Sequence, residues 1–546
     1  MTTQARTAPR ARSTAAVLLA TAALWACGGG DGDDNKEPSA PPQPAVTPAC
    51  TDCGAAAANA YTGTGVGVWQ AINATSKTVD IPVRISGLNG QDVTLVFTNH
   101  SSTPKTMPTI ALTTSHTTNV AASALRLDDA ARDAKRRISD FNREGWVKLA
   151  GKRGATPNYA ATSSPRLAAI DDVRTWYHFD DSARSGVLVR QLSASDGTTI
   201  NFWVEESENT ADRVSPEIVS QLADSFVEQG RIYDMLKSVG GPVWGPHNYA
   251  DMISATGQPI DIVILNFDNN SRPYGAVGYF YGRNAFQRNA TTNSRSNESV
   301  SLYLDAETLY LGGANSLRHM QMTMAHEALH MQNFYRRGVV QGPSHVLDTW
   351  LEEASAMMME DFAGHSIDPG YNAVRDGLFP DYVGYKAGSY NCNLTAWTPF
   401  AEACESYSVS GSFGGFLNRQ LGLDFYKNLL TDFSSTDAVK VLDSAIRSVQ
   451  PQSSFVEQFR RFGATSASLM KSPSPVGFGF PARRDGSFEL PVIDPQMVLP
   501  LRTLTQSIPT TLEAYASLPV VRTAVSGTYS ETVPVPAGST LSVVIQ

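Results

Sequence analysis

Residues 322–334 read MTMAHEALHMQNF, and at their centre His326-Glu327-Ala328-Leu329-His330 has the form H-E-x-x-H. This stretch constrains the fold more than any other. If it is helical, positions four apart lie one above the other on the same face. His326 and His330 then offer two imidazole nitrogens to one metal ion, and Glu327 is placed to take a proton from water beside it. Helix is the expected state. Leu317, Met320, Met324, Ala325, Leu329, Met331 and Phe334 form a broad apolar band without Pro or Gly, and Asn315 or Ser316, just after Gly312-Gly313, offers an N-cap. The plain alternative is a half-buried helix whose histidines serve only its own packing. A third ligand decides between the two, and it must come from a second element brought against this helix.

The chain has 546 residues, enough for two to four domains and a large core. Hydrophobic residues make up 42% and charged residues 17%, which suits a globular protein, and a net charge of -9 gives no reason to expect a nucleic-acid partner. Arg6, Arg10 and Arg12 precede the apolar stretch TAAVLLATAALWA, with no acidic residue among them. That is the build of a signal peptide, too short in its core to span a bilayer as a mature helix. Leu24, Ala26 and Cys27 resemble the lipobox of bacterial lipoproteins, in which the cysteine carries lipid; Trp25 departs from the usual small residue. The Gly-, acid- and Pro-rich run after Cys27 reads as a tether. The expected location is the bacterial cell envelope, anchored by lipid and outside the cytoplasm, or secretion if Cys27 is not lipidated. Four cysteines then remain, an even number that in an exported protein points to disulfides. Proximity favours Cys50–Cys53 and Cys392–Cys404 among three pairings. CTDC at 50–53 lacks the second C-x-x-C of a metal site.

Along the chain, Val79, Ile81, Val83 and Ile85 alternate with other residues, Asn89-Gly90 is a hairpin signal, and Val93, Leu95 and Phe97 alternate again. GTGVG at 63–67 is not followed by a helical pattern and is not a nucleotide loop. The mixed charges of DDAARDAKRRISDFNREGW read as a solvated helical face. Beyond Asp171 the pattern is α+β. VLVRQL, INFWVEE, IDIVILNF, GAVGYFYG and SVSLYLDA read as strands, and Ser215-Pro216 opens a helix with N-cap and first-turn residues in favoured places. FDNNSRPYG around Asp268 has oxygen ligands of the kind calcium takes, but an Asn-rich turn accounts for it.

Downstream, DTWLEEASAMMMED (348–361) has no Gly or Pro and reads as a second helix, with Asp348 or Thr349 as its cap. It resembles the gluzincin motif W-L-x-E-[GA]-x-[AS]-x-x-x-E. Trp350 and Leu351 match, the third metal ligand falls on Glu353, Ala354 and Ala356 occupy the small positions, and Glu360 matches the last acid. Glu360 lies seven positions after Glu353, two turns along the same face, where it is placed to hold a histidine through its second ring nitrogen. Glu352, turned about 100° away, is expected to matter little. The 23 positions from His330 to Glu353 leave room for the first helix to end near Gly338 and for an antiparallel return. H-E-x-x-H followed by Gln332-Asn333, then W-L-x-E with Glu360-Asp361, resembles the hyicolysin-like metallopeptidases, with Ala354 where many gluzincins have Gly.

The resemblance implies an α+β, zincin-type (gluzincin) domain, one Zn2+ ion and hydrolysis of a peptide or protein substrate. His326, His330 and Glu353 would hold the zinc and Glu327 would act as general base. Tyr407, ahead of a downstream helix, is the candidate donor to the oxyanion, with Tyr390 as its rival. The expected organisation is a signal peptide at 1–26, a lipid-anchored tether at 27–59 and a β-sandwich-like module at 60–120. A charged helical connector at 121–170, the peptidase domain at 171–480 and a β-rich region at 481–546 follow. Two other readings compete: a surface-anchored binding lipoprotein with an inactive peptidase-like domain, and a carbohydrate-directed hydrolase, for which no paired-carboxylate signal stands out.

Overall fold

The apolar alternation near the two ends of the chain builds one sheet. The computed structural model describes residues 44–112, 129–154, 167–386, 388–399 and 404–546; the signal peptide and Cys27 lie outside these. Gly67–Asn73, Ser539–Ile545 and Val79–Asn99 lie side by side, and Ala516–Val535 pairs along the length of Val79–Asn99. The regions read separately as 60–120 and 481–546 therefore form a single β module of seven strands. Strands begin at Thr47–Pro48, so the tether is shorter than its expected end at 59. Its core includes Trp69, Ile81, Leu95, Phe97, Val520, Leu541 and Ile545.

Asn89-Gly90 does not close a hairpin. Val79–Asn99 is one long bent strand, and the turn signal falls where its register against residues 522–528 slips. Gly90 has φ 87, so the positive φ that the sequence signalled is used for a bulge. Two asparagines fasten the module across its strand ends. Asn73 Nδ2 donates to Lys77 O, Val535 O and Pro536 O, and Asn99 Nδ2 donates to Thr103 O, Leu512 O and Glu513 O.

The second sheet runs Gly278–Phe280, Val300–Asp305, Ile260–Leu265, Thr199–Glu205, Ala183–Ser193, Val173–Tyr177. Ile260–Leu265 is parallel to both neighbours, whereas Gly278–Phe280 is an antiparallel edge. Alternation sends Ile262, Ile264, Leu302 and Leu304 toward the helices, and Val263, Leu265 and Tyr303 toward a smaller cluster with Trp176 and Trp203. Helix Pro216–Val227 starts as the sequence indicates, with Ser215 Oγ accepting from Ile218 N at 3.4 Å and Pro216 in the first turn.

The H-E-x-x-H helix spans Ser316–Asn333 and lays Met320, Met324, Ala325, Ala328 and Leu329 into the main core. It does not stop near Gly338. It widens into π turns over Phe334–Gln341 and ends at Gly342, φ 116. Buried Arg337 fastens this extension by donating to His345 O at 2.9 Å and Leu429 O at 3.3 Å. The second motif helix spans Thr349–Ile367. Residues 44–546 fall in one compact unit.

Candidate metal centre

The two motif helices run antiparallel, as their contacts show in sequence order. Met322 Sδ lies against Gly364, His326 meets Glu360 and Glu353, His330 meets Glu353 and Glu352, and Asn333 meets Glu352 and Ser355. Behind the second helix, Ser406–Leu421 comes close through glycines: a Cβ on Gly414 would stand 2.8 Å from Met358 Cγ. A buried ion pair, Arg419 Nη1 to Asp361 at 2.7 Å with both side chains fully enclosed, locks these two helices together.

His326, His330 and Glu353 each turn one ligand atom toward a common point, all within 4.8 Å of one another. The separations are 3.0 Å between the two Nε2 atoms, 3.1 Å from His326 Nε2 to Glu353 Oε2 and 3.6 Å from His330 Nε2 to the same oxygen. Ligands about 2.0–2.1 Å from a tetrahedral zinc stand roughly 3.3 Å apart, so the spacing fits that ion. The chemistry of the donors fits as well. His326 Nδ1 donates to Glu360 Oε1, and His330 Nδ1 donates to Glu352 Oε1 at 3.0 Å. With the ring protons on Nδ1, both Nε2 atoms present lone pairs to each other and to a carboxylate, an arrangement that calls for a cation.

The same carboxylates draw positive charge to the site, whether it comes as a metal ion or as ring protons. Burial disfavours a charged His326, but Glu360 and Glu353 outweigh it and raise its pKa to about 9. His330 is raised well above the ordinary histidine value, with Glu353 and Glu352 overcoming burial. Burial alone would raise Glu353, yet the His330 and His326 rings hold it below the usual carboxylate range.

Glu352 is the residue the sequence reading undervalued. Its turn away from the metal aims it at His330, and Asn333 Nδ2 steadies it at 3.1 Å. Only the relation between the helices reveals this; Asn333, two turns after His326, was the available hint. Gly278 is a second omission. A Cβ there would stand 2.4 Å from Thr323 Cγ2 and 3.4 Å from Glu327 Cγ, so glycine lets the edge strand touch the motif helix. That approach brings Phe280 N to 2.8 Å from Glu327 Oε2, to which it donates.

A cavity of about 500 Å³ opens over His326, Glu327, His330 and Glu353, and Tyr407 lines it. Glu405 caps the helix that carries Tyr407, accepting from Tyr407 N at 3.1 Å and Ser408 N at 2.6 Å. Burial, with Glu353 and Glu327 nearby, pushes the Tyr407 phenol well above its usual pKa, so it keeps its proton. Tyr390 instead packs edge-on against Tyr382, 5.3 Å between ring centres, and is not among the cavity's lining residues. Cys392 and Cys404 are bonded, tying the ends of the loop that carries Trp397 and Pro399 into the cavity wall. Cys50 and Cys53 are bonded in the β module. Asp268 joins no metal-holding group. Its loop is a turn whose Asn270 and Ser271 amides donate to Glu307, and among the described residues His326, His330 and Glu353 form the one set able to hold an ion.

The charged connector is not simply a solvated face. Helix Asp129–Asp140 and the wide turn Phe141–Gly145 lie along this cavity and contribute to its lining. A cleft wall is as polar as a surface, which is why its pattern misleads.

Comparison with known proteins bears on the same region. A profile for peptidase M30 matches residues 180–546, and one for a domain of unknown function, DUF8571, matches residues 48–112. The chain is similar to the neutral metalloprotease ShpI of Staphylococcus hyicus, 24% identical over 329 residues, which cover 57% of this chain and 68% of that protein. With the profile matching most of its length, including both helices of the metal centre, the chain belongs to the peptidase M30 family and is a metallopeptidase.

Proposed function

We propose that the chain is a zinc-dependent endopeptidase held at the cell envelope by lipid on Cys27. The observation that carries the zinc reading is the trio of separations, 3.0, 3.1 and 3.6 Å, among two imidazole nitrogens and one carboxylate oxygen. A bound zinc ion supplies Lewis acidity, polarising the scissile carbonyl and making water more acidic. The chain's own groups do the rest. Glu327 takes the proton of the attacking water and returns it to the leaving amine. Phe280 N–H occupies Oε2 of Glu327, which orients the carboxylate and leaves Oε1 for that proton. Tyr407, protonated at neutral pH, donates to the developing oxyanion. Gly278–Phe280 is the edge strand of its sheet, and an extended peptide that replaces Asn142 there would find main-chain groups to pair with, which favours cleavage within chains over trimming of their ends. The anchor is supported by Leu24, Ala26 and Cys27 after the basic, apolar leader.

Casein zymography with and without a chelator, alongside zinc content, tests the reading. Parent protein should carry one zinc per chain and clear casein until chelated, and Glu353→Ala should lose most of its zinc. Clearing that survives complete zinc removal would refute it. Unchanged membrane fractionation of Cys27→Ser would refute the anchor.

A further inference from the structure

The cleft over the metal centre is crossed by a segment that precedes the family match at residue 180. Trp146 anchors this segment. It is fully buried against Tyr249, Phe286 and Phe334, with ring centres 5.5, 6.5 and 5.6 Å away. Before the anchor come the wide turns of Phe141–Gly145 and then helix Asp129–Asp140, an arm lying along the cavity. Wide turns of this kind within a helix are frequent at functional sites. Beside the packing of Phe141 on Tyr281, polar contacts tie the arm to two walls. On the sheet side, Asn142 Nδ2 donates to Phe280 O at 2.9 Å and Asn142 Oδ1 accepts from Gly282 N at 2.8 Å. On the helix side, Lys135 Nζ stands 5.7 Å from the centre of the Tyr407 ring, within cation–π reach.

The sheet-side contact has a specific chemical meaning. An edge strand takes up a further strand through its outward carbonyl and N–H groups. A carboxamide side chain offers one N–H donor and one carbonyl acceptor, the pair that a peptide bond offers. Asn142 therefore fills the positions that the main chain of an added peptide would use. The remaining polar group of Phe280, its N–H, is taken by Glu327. An extended peptide that adds to this edge past Tyr279 has to displace Asn142, and it has to pass beneath a helix held at Tyr407.

We infer that residues 129–145 are an internal latch that keeps the cleft closed to long peptides, with Asn142 acting in cis as a stand-in for substrate main chain. The latch rests on the peptidase reading given above. Between 132 and 140 only Ala134 and Ile138 are buried, and Phe141 packs edge-on against Tyr281 at 5.2 Å, so the helix holds by few apolar contacts while Trp146 keeps the arm attached when the grip is released.

The test uses the full chain loaded with zinc, with Asn142→Ala, Lys135→Ala and the double variant. Neither residue belongs to the metal set or the catalytic groups. The measurement is kcat/KM on an internally quenched decapeptide and on a dipeptide amide too short to span the edge strand. The latch predicts a rise of about tenfold on the decapeptide for Asn142→Ala, the worth of roughly one ordinary net hydrogen bond, and a larger one for the double variant. The dipeptide amide should be cleaved at the parent's rate. A decapeptide rate that stays at or falls below the parent's, at parental zinc content and thermal stability, overturns the latch and makes the arm a fixed wall of the substrate site. If neither parent nor variants hydrolyse any peptide, the peptidase reading fails instead. The latch is then decided by hydrogen exchange at the Gly282 amide: faster exchange in Asn142→Ala supports it, and unchanged exchange overturns it.

Discussion

The β module and the metal centre both bury polar groups, but they satisfy them in opposite ways. In the module, Asn73 and Asn99 turn neutral amides toward main-chain carbonyls, and every bond is complete within the chain. In the metal centre, three carboxylates and two imidazoles face one another, and the two Nε2 atoms stand 3.0 Å apart. The first network finishes itself and serves stability. The second is finished only by a cation, so its geometry is a statement about chemistry. Burying ionisable groups is costly unless each is paired, and here the carboxylates converge on rings whose Nε2 atoms are placed to bind a cation.

The largest effect that would break this contrast comes from the module. Strand Ser539–Ile545 lies between Gly67–Asn73 and Val79–Asn99, and Leu541, Val543, Val544 and Ile545 have no exposed surface. Removing residues 539–546 should cost about 6–12 kcal/mol from those four side chains, as much as a typical domain's whole stability. The module should lose its protection in hydrogen exchange while the protein still binds zinc. Loss of zinc in the same deletion would mean that the two regions are one cooperative unit.

Next comes the chemistry. Glu327→Gln keeps the acceptor for Phe280 N–H but loses the proton acceptor, so turnover should fall about 10²–10⁴-fold with zinc content unchanged. Near-parental kcat would remove Glu327 from its role. A smaller effect concerns the cavity wall. Opening the Cys392–Cys404 loop by Cys→Ser at both positions should lower stability by about 2–4 kcal/mol on the chain-entropy account, read from denaturant midpoints. The contrast sharpens if the β module's own unfolding does not move.

The smallest effect separates the carboxylates around the histidines. Glu352→Ala and Glu360→Ala should each weaken zinc binding about 10–100-fold by releasing the Nδ1 of His330 and His326 respectively. Competition against a metallochromic chelator measures this. A Glu352→Ala protein with parental affinity would return Glu352 to the minor role that its sequence position alone suggests.

What could be read without the structure was whatever repeats over a few residues. The four-residue spacing of His326 and His330, and the seven-residue spacing of Glu353 and Glu360, are properties of a single helix. Glu352 escaped because its role depends on where a second helix stands, and a 100° turn away from the metal was mistaken for a turn away from the site. Asn89-Gly90 was a true signal of positive φ, but whether it closes a hairpin depends on a partner strand more than 400 positions later. The arm at 129–145 is the solvated face its charges indicate, and its place on a cleft was not legible because charge marks any surface that meets water, including the wall of a cleft.

The union of the two ends of the chain in one sheet also bears on how the protein is made. Gln70 meets Ser542 across 472 positions. During synthesis, Gly67–Asn73 and Val79–Asn99 emerge early and wait for partners until residues 516–545 follow. Through that interval their unpaired edges are the kind of surface that pairs with other chains, so aggregation is the hazard of so distant a partner.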